Sequence, residues 1–436
     1  MNLSLRNKQI LKLALPSIVS NITVPLLGLI DVAITGHLGS AAFIGAIAVG
    51  GMLFNIIYWL FAFLRMGTSG MTAQAFGRRD FTTLTRLLKQ SIAVALGISA
   101  IMLILQNYIQ DLALYFIAPE PSVEYYTRIY FNICVWGAPA SLGLFALTGW
   151  YVGMQNTRIP MLVAIVQNVM NILASLIMVY TFGMQIEGVA LGTVIAQWGG
   201  FFLALWLYRR NYHKRLRKYA TVSLFTKAEL IRFFTVNKDI FLRTVCLVFV
   251  HFFFITAGAK MGTIELAVNT VLMQFFTLYS YIMDGFAFAG EAIAGKAIGA
   301  GSKTIYDETI KRLFGWGTLM VILFTATYAL LGPHFISVLT DDSQVIQTAQ
   351  DYHLWTLLFP ICGLAAFIWD GIYIGATATR YMLLSMATGM VVFLGLYYIL
   401  IPYWGNHGLW LAFVVYLTTR GIVQTITRNK ICTFNS

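Results

Sequence analysis

Two stretches of the sequence repeat one another: GWYVGMQNTR at residues 149–158 and GIYIGATATR at residues 371–380. They lie 222 residues apart (371 minus 149), and AQAFG at 73–77 returns as GKAIG at 295–299 with the same offset. A third pair, GVAL and GLWL, is 220 residues apart (408 minus 188). Three pairs at nearly one offset indicate a chain built from two similar halves.

The composition is that of a membrane protein. Of the 436 residues, 59% are hydrophobic and 11% are charged, and the mean hydropathy is +0.76. Soluble domains carry roughly 25% charged residues. Apolar runs at 92–106, 131–154 and 242–258 approach the roughly 20 residues that a helix needs to cross a bilayer. Because these runs are continuous rather than alternating, they exclude an outer-membrane barrel.

Hydropathy predicts an all-α polytopic fold with twelve transmembrane helices. The predicted spans are 11–35, 42–68, 87–108, 124–153, 160–182, 186–208, 242–261, 264–294, 309–331, 346–374, 380–401 and 406–427. Lys and Arg concentrate in alternate loops, so the positive-inside rule places both termini in the cytoplasm, in an inner (plasma) membrane. This placement accounts for the net charge of +12 and excludes a nucleic-acid partner.

Six spans fall in each half, so both halves start on the same side of the membrane. We predict an N-lobe at residues 1–208, a cytoplasmic linker at 209–238 and a C-lobe at 239–436, with substrate in a cleft between the lobes. Thr226 and Glu229 have the spacing of a capping box, which predicts a short interfacial helix within the linker. A flexible tether is the alternative.

Asp31 is the first candidate for chemistry, because an ionisable side chain inside a span is costly. It lies in PLLGLIDVAITG, residues 25–36, which contains no Lys or Arg. Burial disfavours the charged form of a carboxylate, so we predict that Asp31 binds and releases a proton. Pro25 removes a backbone hydrogen bond six residues earlier and can bend the helix. The alternatives are a structural acid in a helix–helix contact and an acid near the outer interface.

Polar side chains in span five form a second candidate group. Asn168, Asn171 and Ser175 lie on one face of the predicted helix, where they can bind Asp31 or a substrate. Hydrogen bonding between helices is the alternative role.

The second half offers Asp284 in span eight, Asp370 in span ten and His251 in span seven as residues that line a cavity. A histidine in an apolar run is also compatible with simple packing. Asp239 and Arg243, four residues apart at the start of span seven, predict a structural ion pair.

Several motifs are absent from the sequence. It has no GxxxxGK[ST], HExxH, GxSxG or CxxC pattern. We therefore predict that the protein is not an enzyme, hydrolyses no ATP, and binds no metal and no cofactor. An ion gradient is then the expected source of energy.

The sequence also resembles a known family. The resemblance is carried by LLGLIDVAITGHLG (26–39), FLRMGTSGMTAQAFG (63–77), NKDIFLR (237–243), DGFAFAGE (284–291) and WDGIYIGA (369–376). These segments are similar to the MATE family (multidrug and toxic compound extrusion), in particular its DinF-like branch. The resemblance implies two six-helix lobes that open to either side in turn, and export of organic, often cationic compounds in exchange for H⁺ or Na⁺.

The resemblance also assigns roles to particular residues. Asp31 matches the first-span acid that is associated with coupling in the DinF-like branch. Asn171 matches the asparagine of an Asn-x-x-x-Asp pattern, in which Ser175 here replaces the acid. Asp370 matches a tenth-span acid that is associated with cation coupling in the NorM-like branch. The acid that the branch has in span seven has no counterpart here, where the sequence offers only His251.

Together these observations predict a monomeric, H⁺-coupled antiporter with Asp31 as the proton site. Its expected partners are a small organic substrate, cationic and drug-like in preference, together with H⁺ and membrane lipid. A flippase or exporter of a lipid or metabolite, and a Na⁺-coupled antiporter, are the alternatives.

Overall fold

The structure is a computed structural model that describes residues 5–36, 41–219 and 227–431, without the side chains of 24–27, 29, 32, 35–36, 41 and 227–230. Regular structure in these residues is helical throughout. The long helices are α1 (Leu5–Gly36), α2 (Ala41–Phe61 and Phe63–Gly77), α3 (Phe81–Ile104), α4 (Pro121–Cys134, Val135–Gly137 and Ala138–Gly153), α5 (Arg158–Leu176 and Ile177–Thr181), α6 (Ile186–Tyr208), α7 (Lys227–Met261), α8 (Thr263–Gly299), α9 (Lys303–Leu339), α10 (Ser343–Gly375), α11 (Thr379–Trp404) and α12 (Asn406–Thr427). Short helices at Gln106–Ile117 and from Arg209 to Tyr219 follow α3 and α6.

The predicted all-α polytopic fold is confirmed. Within the described residues, 11 helical segments are long and apolar enough to cross a membrane, and they correspond to α2 through α12. The predicted first span, 11–35, lies within α1, which continues as one helix through Pro25. The count of twelve spans and the bend at Pro25 stay predictions.

The chain divides into two compact units. The N-unit comprises Val19–Arg232, and the C-unit combines the chain up to Ile18 with the chain from Phe233 onward. The first turns of α1 therefore pack with the C-unit. The predicted boundaries at 1–208, 209–238 and 239–436 stay predictions.

Much of the predicted linker is helical. Residues 209–219 extend α6, and residues 227–238 are the first turns of α7. Phe233 and Val236 are buried there, so one face of these turns packs into the core. Thr226, and with it the predicted capping box, lies outside the described residues.

The repeated GxxxG segments perform the same packing in each unit. A Cβ atom at Gly149 would overlap the backbone of Arg65, and a Cβ atom at Gly371 would overlap the backbone of Ala287. Both pairs obey the offset of 222, since 287 minus 65 equals 371 minus 149. The missing side chain lets α4 lie against α2, and α10 against α8, with their backbones in direct contact.

The following glycine repeats the arrangement one turn later. Gly153 lies against the backbone of Ser69 in α2, and Gly375 lies against the backbone of Glu291 in α8, again 222 residues apart. The predicted internal repeat is therefore a repeat of helix packing as well as of sequence.

Tyrosines inside the two motifs fasten the repeat to a further helix. Tyr151 donates a hydrogen bond to the carbonyl oxygen of Ala204 in α6 at 2.7 Å, and Tyr373 donates one to the carbonyl oxygen of Gln424 in α12 at 2.6 Å. Both side chains are buried. In each unit, the helix that carries the motif (α4 or α10) is thus held by glycines on one side and by a tyrosine on the other.

We predict that Gly371→Ala and Gly149→Ala each lower the free energy of unfolding by about 1–3 kcal/mol, because the added methyl group overpacks a backbone contact. Thermal unfolding of the purified protein in detergent measures the loss. Gly315→Ala and Gly97→Ala are the matched controls, since no atom lies within 4 Å of a Cβ built at either position. Equal melting temperatures for the four variants would contradict this account of the repeat.

Candidate functional site

Asp31 lies in α1 within the core of the N-unit. Its residue is 8% exposed, and its neighbours Ile30 and Ile34 pack into an apolar cluster that includes Tyr130 and Cys134 of α4. Tyr130 and Cys134 lie close enough to interact electrostatically with the carboxylate. Phenol and thiol groups are ordinarily neutral at pH 7, so these two neighbours bring no positive charge to Asp31.

The asparagines of α5 fasten α1 and α6. Asn168 donates a hydrogen bond from Nδ2 to the carbonyl oxygen of Thr23, 3.1 Å away and two residues before Pro25. Asn171 donates from Nδ2 to Oγ1 of Thr193 in α6 at 3.1 Å and is 1% exposed. Both side chains therefore make contacts between helices, and Asn168 holds the backbone of α1 two turns before Asp31.

Ser175 occupies the place of the acid that the family resemblance leads one to expect. Its residue is fully buried, and a Cβ atom at Gly192 of α6 would overlap Ser175 itself. The close approach of α5 and α6 leaves a small side chain in a tight contact, where a carboxylate would be desolvated. Packing therefore accounts for serine at this position.

Asp370 of α10 is at the centre of a buried charged cluster in the C-unit. Arg243 of α7 and Arg420 of α12 both bind its Oδ2 atom, the latter at 2.7 Å, and Gln424 donates from Nε2 to Oδ1 at 2.6 Å. Arg420 also lies with its guanidinium carbon 5.3 Å from the ring centroid of Tyr416. The cluster joins three helices of one unit.

Two arginines neutralise Asp370, which stabilises its charged form. Asp370 is 7%, Arg243 7% and Arg420 3% exposed, so the ions are removed from water together. A carboxylate held in this way is a structural ion-pair centre rather than a group that readily exchanges a proton.

The ion pair predicted between Asp239 and Arg243 is wrong. Arg243 binds Asp370, while Asp239 accepts a hydrogen bond from Oγ1 of Thr379 at 3.1 Å. The four-residue spacing takes account only of contacts within one helix. The buried carboxylate of Asp370 on a neighbouring helix is the stronger partner for Arg243.

Arg420 and Gln424 were not among the predicted site residues. Arg420 is an arginine inside the apolar twelfth span, and an ionisable side chain within a span is the same signal that points to Asp31. Tyr416, Arg420 and Gln424 also recur every four residues, so they share one face of α12.

The remaining candidates lie on α7 and α8. His251 lines a cavity of about 120 Å³ together with Asn269, Gln274 and Met273. Asn269 is fixed by two reciprocal hydrogen bonds of 2.8 Å with Asn406 of α12. Asp284 is partly buried on α8, outside this cavity.

The fold and the two sites define a class: a polytopic α-helical membrane protein made of two repeated helical units, each with a buried carboxylate. The MatE family model matches residues 16–177 and again residues 240–399, once in each half. The chain belongs to the MatE family, and the family is one of membrane transporters.

Individual proteins agree with this assignment. DNA damage-inducible protein F of Escherichia coli K12 is 36% identical over 416 residues, which cover 95% of this chain and 90% of that protein. Multidrug resistance protein MdtK of Edwardsiella ictaluri is 23% identical, with 96% and 94% covered. A crystal structure of a MATE protein in the bent conformation superposes with a TM-score of 0.85 at 20% identity, covering 98% of this chain and 95% of that one, so this likeness concerns the fold.

We predict that Asp370→Asn lowers the free energy of unfolding by about 3–5 kcal/mol, because it leaves two buried guanidinium groups without a counter-ion. Thermal unfolding in detergent measures the loss. Asp351→Asn, at an exposed position on the same helix, is the matched control and is expected to change little. An Asp370→Asn protein as stable as the control would show that the cluster is not a structural centre.

Proposed function

We propose that this protein is an H⁺-coupled antiporter of the inner membrane that exports organic, preferentially cationic compounds, with Asp31 as the proton site. The observation that carries the proposal is the environment of Asp31. It is the one buried carboxylate among the described residues of the N-unit, in a helix segment without Lys or Arg. Burial in apolar surroundings favours a carboxyl group that exchanges a proton.

Asp370 supports the same assignment by contrast. Its charge is already balanced by Arg243 and Arg420. A cation that approached Asp370 would have to displace a guanidinium group or share the carboxylate with two. Coupling through Asp31 alone therefore requires no rearrangement of a buried ion-pair cluster.

Exchange follows if Asp31 can bind a proton or attract a cationic substrate, but cannot do both at once. A negative Asp31 favours a cationic substrate, and a protonated Asp31 does not, so the two ligands compete through one charge. An organic substrate for this protein is supported by its relationship to the multidrug resistance protein MdtK, which belongs to the same family. Lys and Arg in alternate loops support the orientation with both termini in the cytoplasm.

The test uses purified protein in liposomes with a lumenal pH dye and a lipophilic fluorescent cation. A proton gradient is expected to drive substrate movement in the unaltered protein. Asp31→Asn is expected to slow this movement at least ten-fold, because it removes the side chain that transfers the proton. Asp111→Asn is the matched control, because Asp111 is an exposed acid of the same unit whose side chain is 65% exposed.

Three outcomes would overturn the proposal in different ways. Full proton-driven movement by Asp31→Asn would remove Asp31 from coupling. Movement driven by a sodium gradient that survives the substitution would favour Na⁺ coupling elsewhere, and no movement of the cation under either gradient would favour a lipid or metabolite as cargo.

A further inference from the structure

A strongly basic segment follows α6. Residues 209–218, RRNYHKRLRK, carry six lysines and arginines in ten positions. We name these six the basic platform: Arg209, Arg210, Lys214, Arg215, Arg217 and Lys218. All six are exposed, and across residues 5–36, 41–219 and 227–431 no carboxylate forms an ion pair with any of them.

The opposite side of this segment is packed against the core of the N-unit. The ring of Tyr212 lies 5.1 Å from the ring of Trp150, and its hydroxyl accepts a hydrogen bond from Nδ2 of Asn156 at 2.9 Å. Leu216 is 3% exposed within the same apolar cluster. The segment that carries the basic platform is thus packed in place. A ligand that binds there does not have to meet the entropic cost of ordering a flexible tail.

The next residue continues this attachment. The ring of Tyr219 stacks on Phe81 of α3 with centroids 5.6 Å apart. Lys218 holds its Nζ atom 5.3 Å from the centroid of the Tyr219 ring. The segment is therefore fastened at its end as well as at its middle.

Trp206 supports a location of the basic platform at the depth of the lipid headgroups. It lies in the last turn of α6, is 51% exposed, and is a residue type that concentrates at the membrane–water interface. The guanidinium carbon of Arg210 lies 5.2 Å from the centroid of the Trp206 ring. We therefore expect the first of these cations to lie at the interface, within reach of phosphate groups.

We propose that the basic platform is a docking surface for anionic phospholipids, which bind through their headgroup phosphates in the leaflet beside it. Arginine guanidinium groups match phosphate oxygens in a bidentate geometry, and lysine adds a point charge. Clusters of four to eight Lys and Arg next to a transmembrane helix are suited to anionic lipid surfaces. The surface is separate from Asp31 and independent of the transport reaction.

The experiment titrates the purified full-length protein in detergent with phosphatidylglycerol and follows the melting temperature, since a ligand that binds the folded state raises it. Phosphatidylcholine and inorganic phosphate are titrated in parallel. The test variant is K214Q/R215Q/K218Q. The matched control is K303Q/K311Q/R312Q, which removes the same charge from exposed positions of α9.

We expect phosphatidylglycerol, and neither phosphatidylcholine nor phosphate, to stabilise the unaltered protein in a manner that weakens with salt. The test variant should bind phosphatidylglycerol on the order of 100-fold more weakly, from about a factor of five for each cation removed. The control variant, and the charge-preserving variant K214R/R215K/K218R, should bind as the unaltered protein does.

Equal phosphatidylglycerol stabilisation in the test variant and the control would overturn the proposal. Stabilisation by inorganic phosphate that equals that by the lipid would also overturn it, because the ligand would then be a free anion. Neither result depends on whether the protein transports protons, so the failure of this proposal is distinguishable from failure of the proposed function.

Discussion

The cost of removing a carboxylate from water shapes both candidate sites of this protein. The C-unit meets that cost with counter-ions: Arg243 and Arg420 bind Asp370, and Gln424 binds its second oxygen. The N-unit places Asp31 among apolar side chains, a tyrosine and a cysteine. Burial in apolar surroundings favours the protonated form of a carboxyl group, whereas two bound guanidinium groups favour its charged form. Two acids in similar membrane helices are therefore suited to different tasks.

The repeat provides the frame in which these environments differ. Gly149 and Gly371 bring equivalent helices into backbone contact, and Tyr151 and Tyr373 fasten them to a further helix. Because these contacts use small side chains and backbone atoms, they tolerate divergence at the surrounding positions. Asp370 lies next to Gly371, but the equivalent position before Gly149 is Thr148, so the C-unit cluster has no copy in the N-unit.

Much of the fold is predictable from the sequence because the thickness of the bilayer sets the length of each apolar run. The predicted span 346–374 is the helix Ser343–Gly375, and the predicted span 380–401 is Thr379–Trp404. The repeat was predictable because its glycines are required for close approach. The partners of Asp370 were not, since Arg243 and Arg420 lie 127 and 50 residues away in the chain and meet it only through helix packing. The i, i+4 rule gave the wrong partner for Arg243 for the same reason.

Substrate-linked proton release distinguishes coupling through Asp31 from coupling elsewhere in the protein. The purified protein is held in weakly buffered detergent solution with a pH dye and is titrated with a lipophilic cation, while fluorescence reports binding. If coupling runs through Asp31, binding releases close to one proton and affinity rises with pH. Asp31→Asn then abolishes both effects, because binding and protonation are linked through one carboxyl group. Proton release and a pH-dependent affinity that persist in Asp31→Asn would contradict coupling through Asp31.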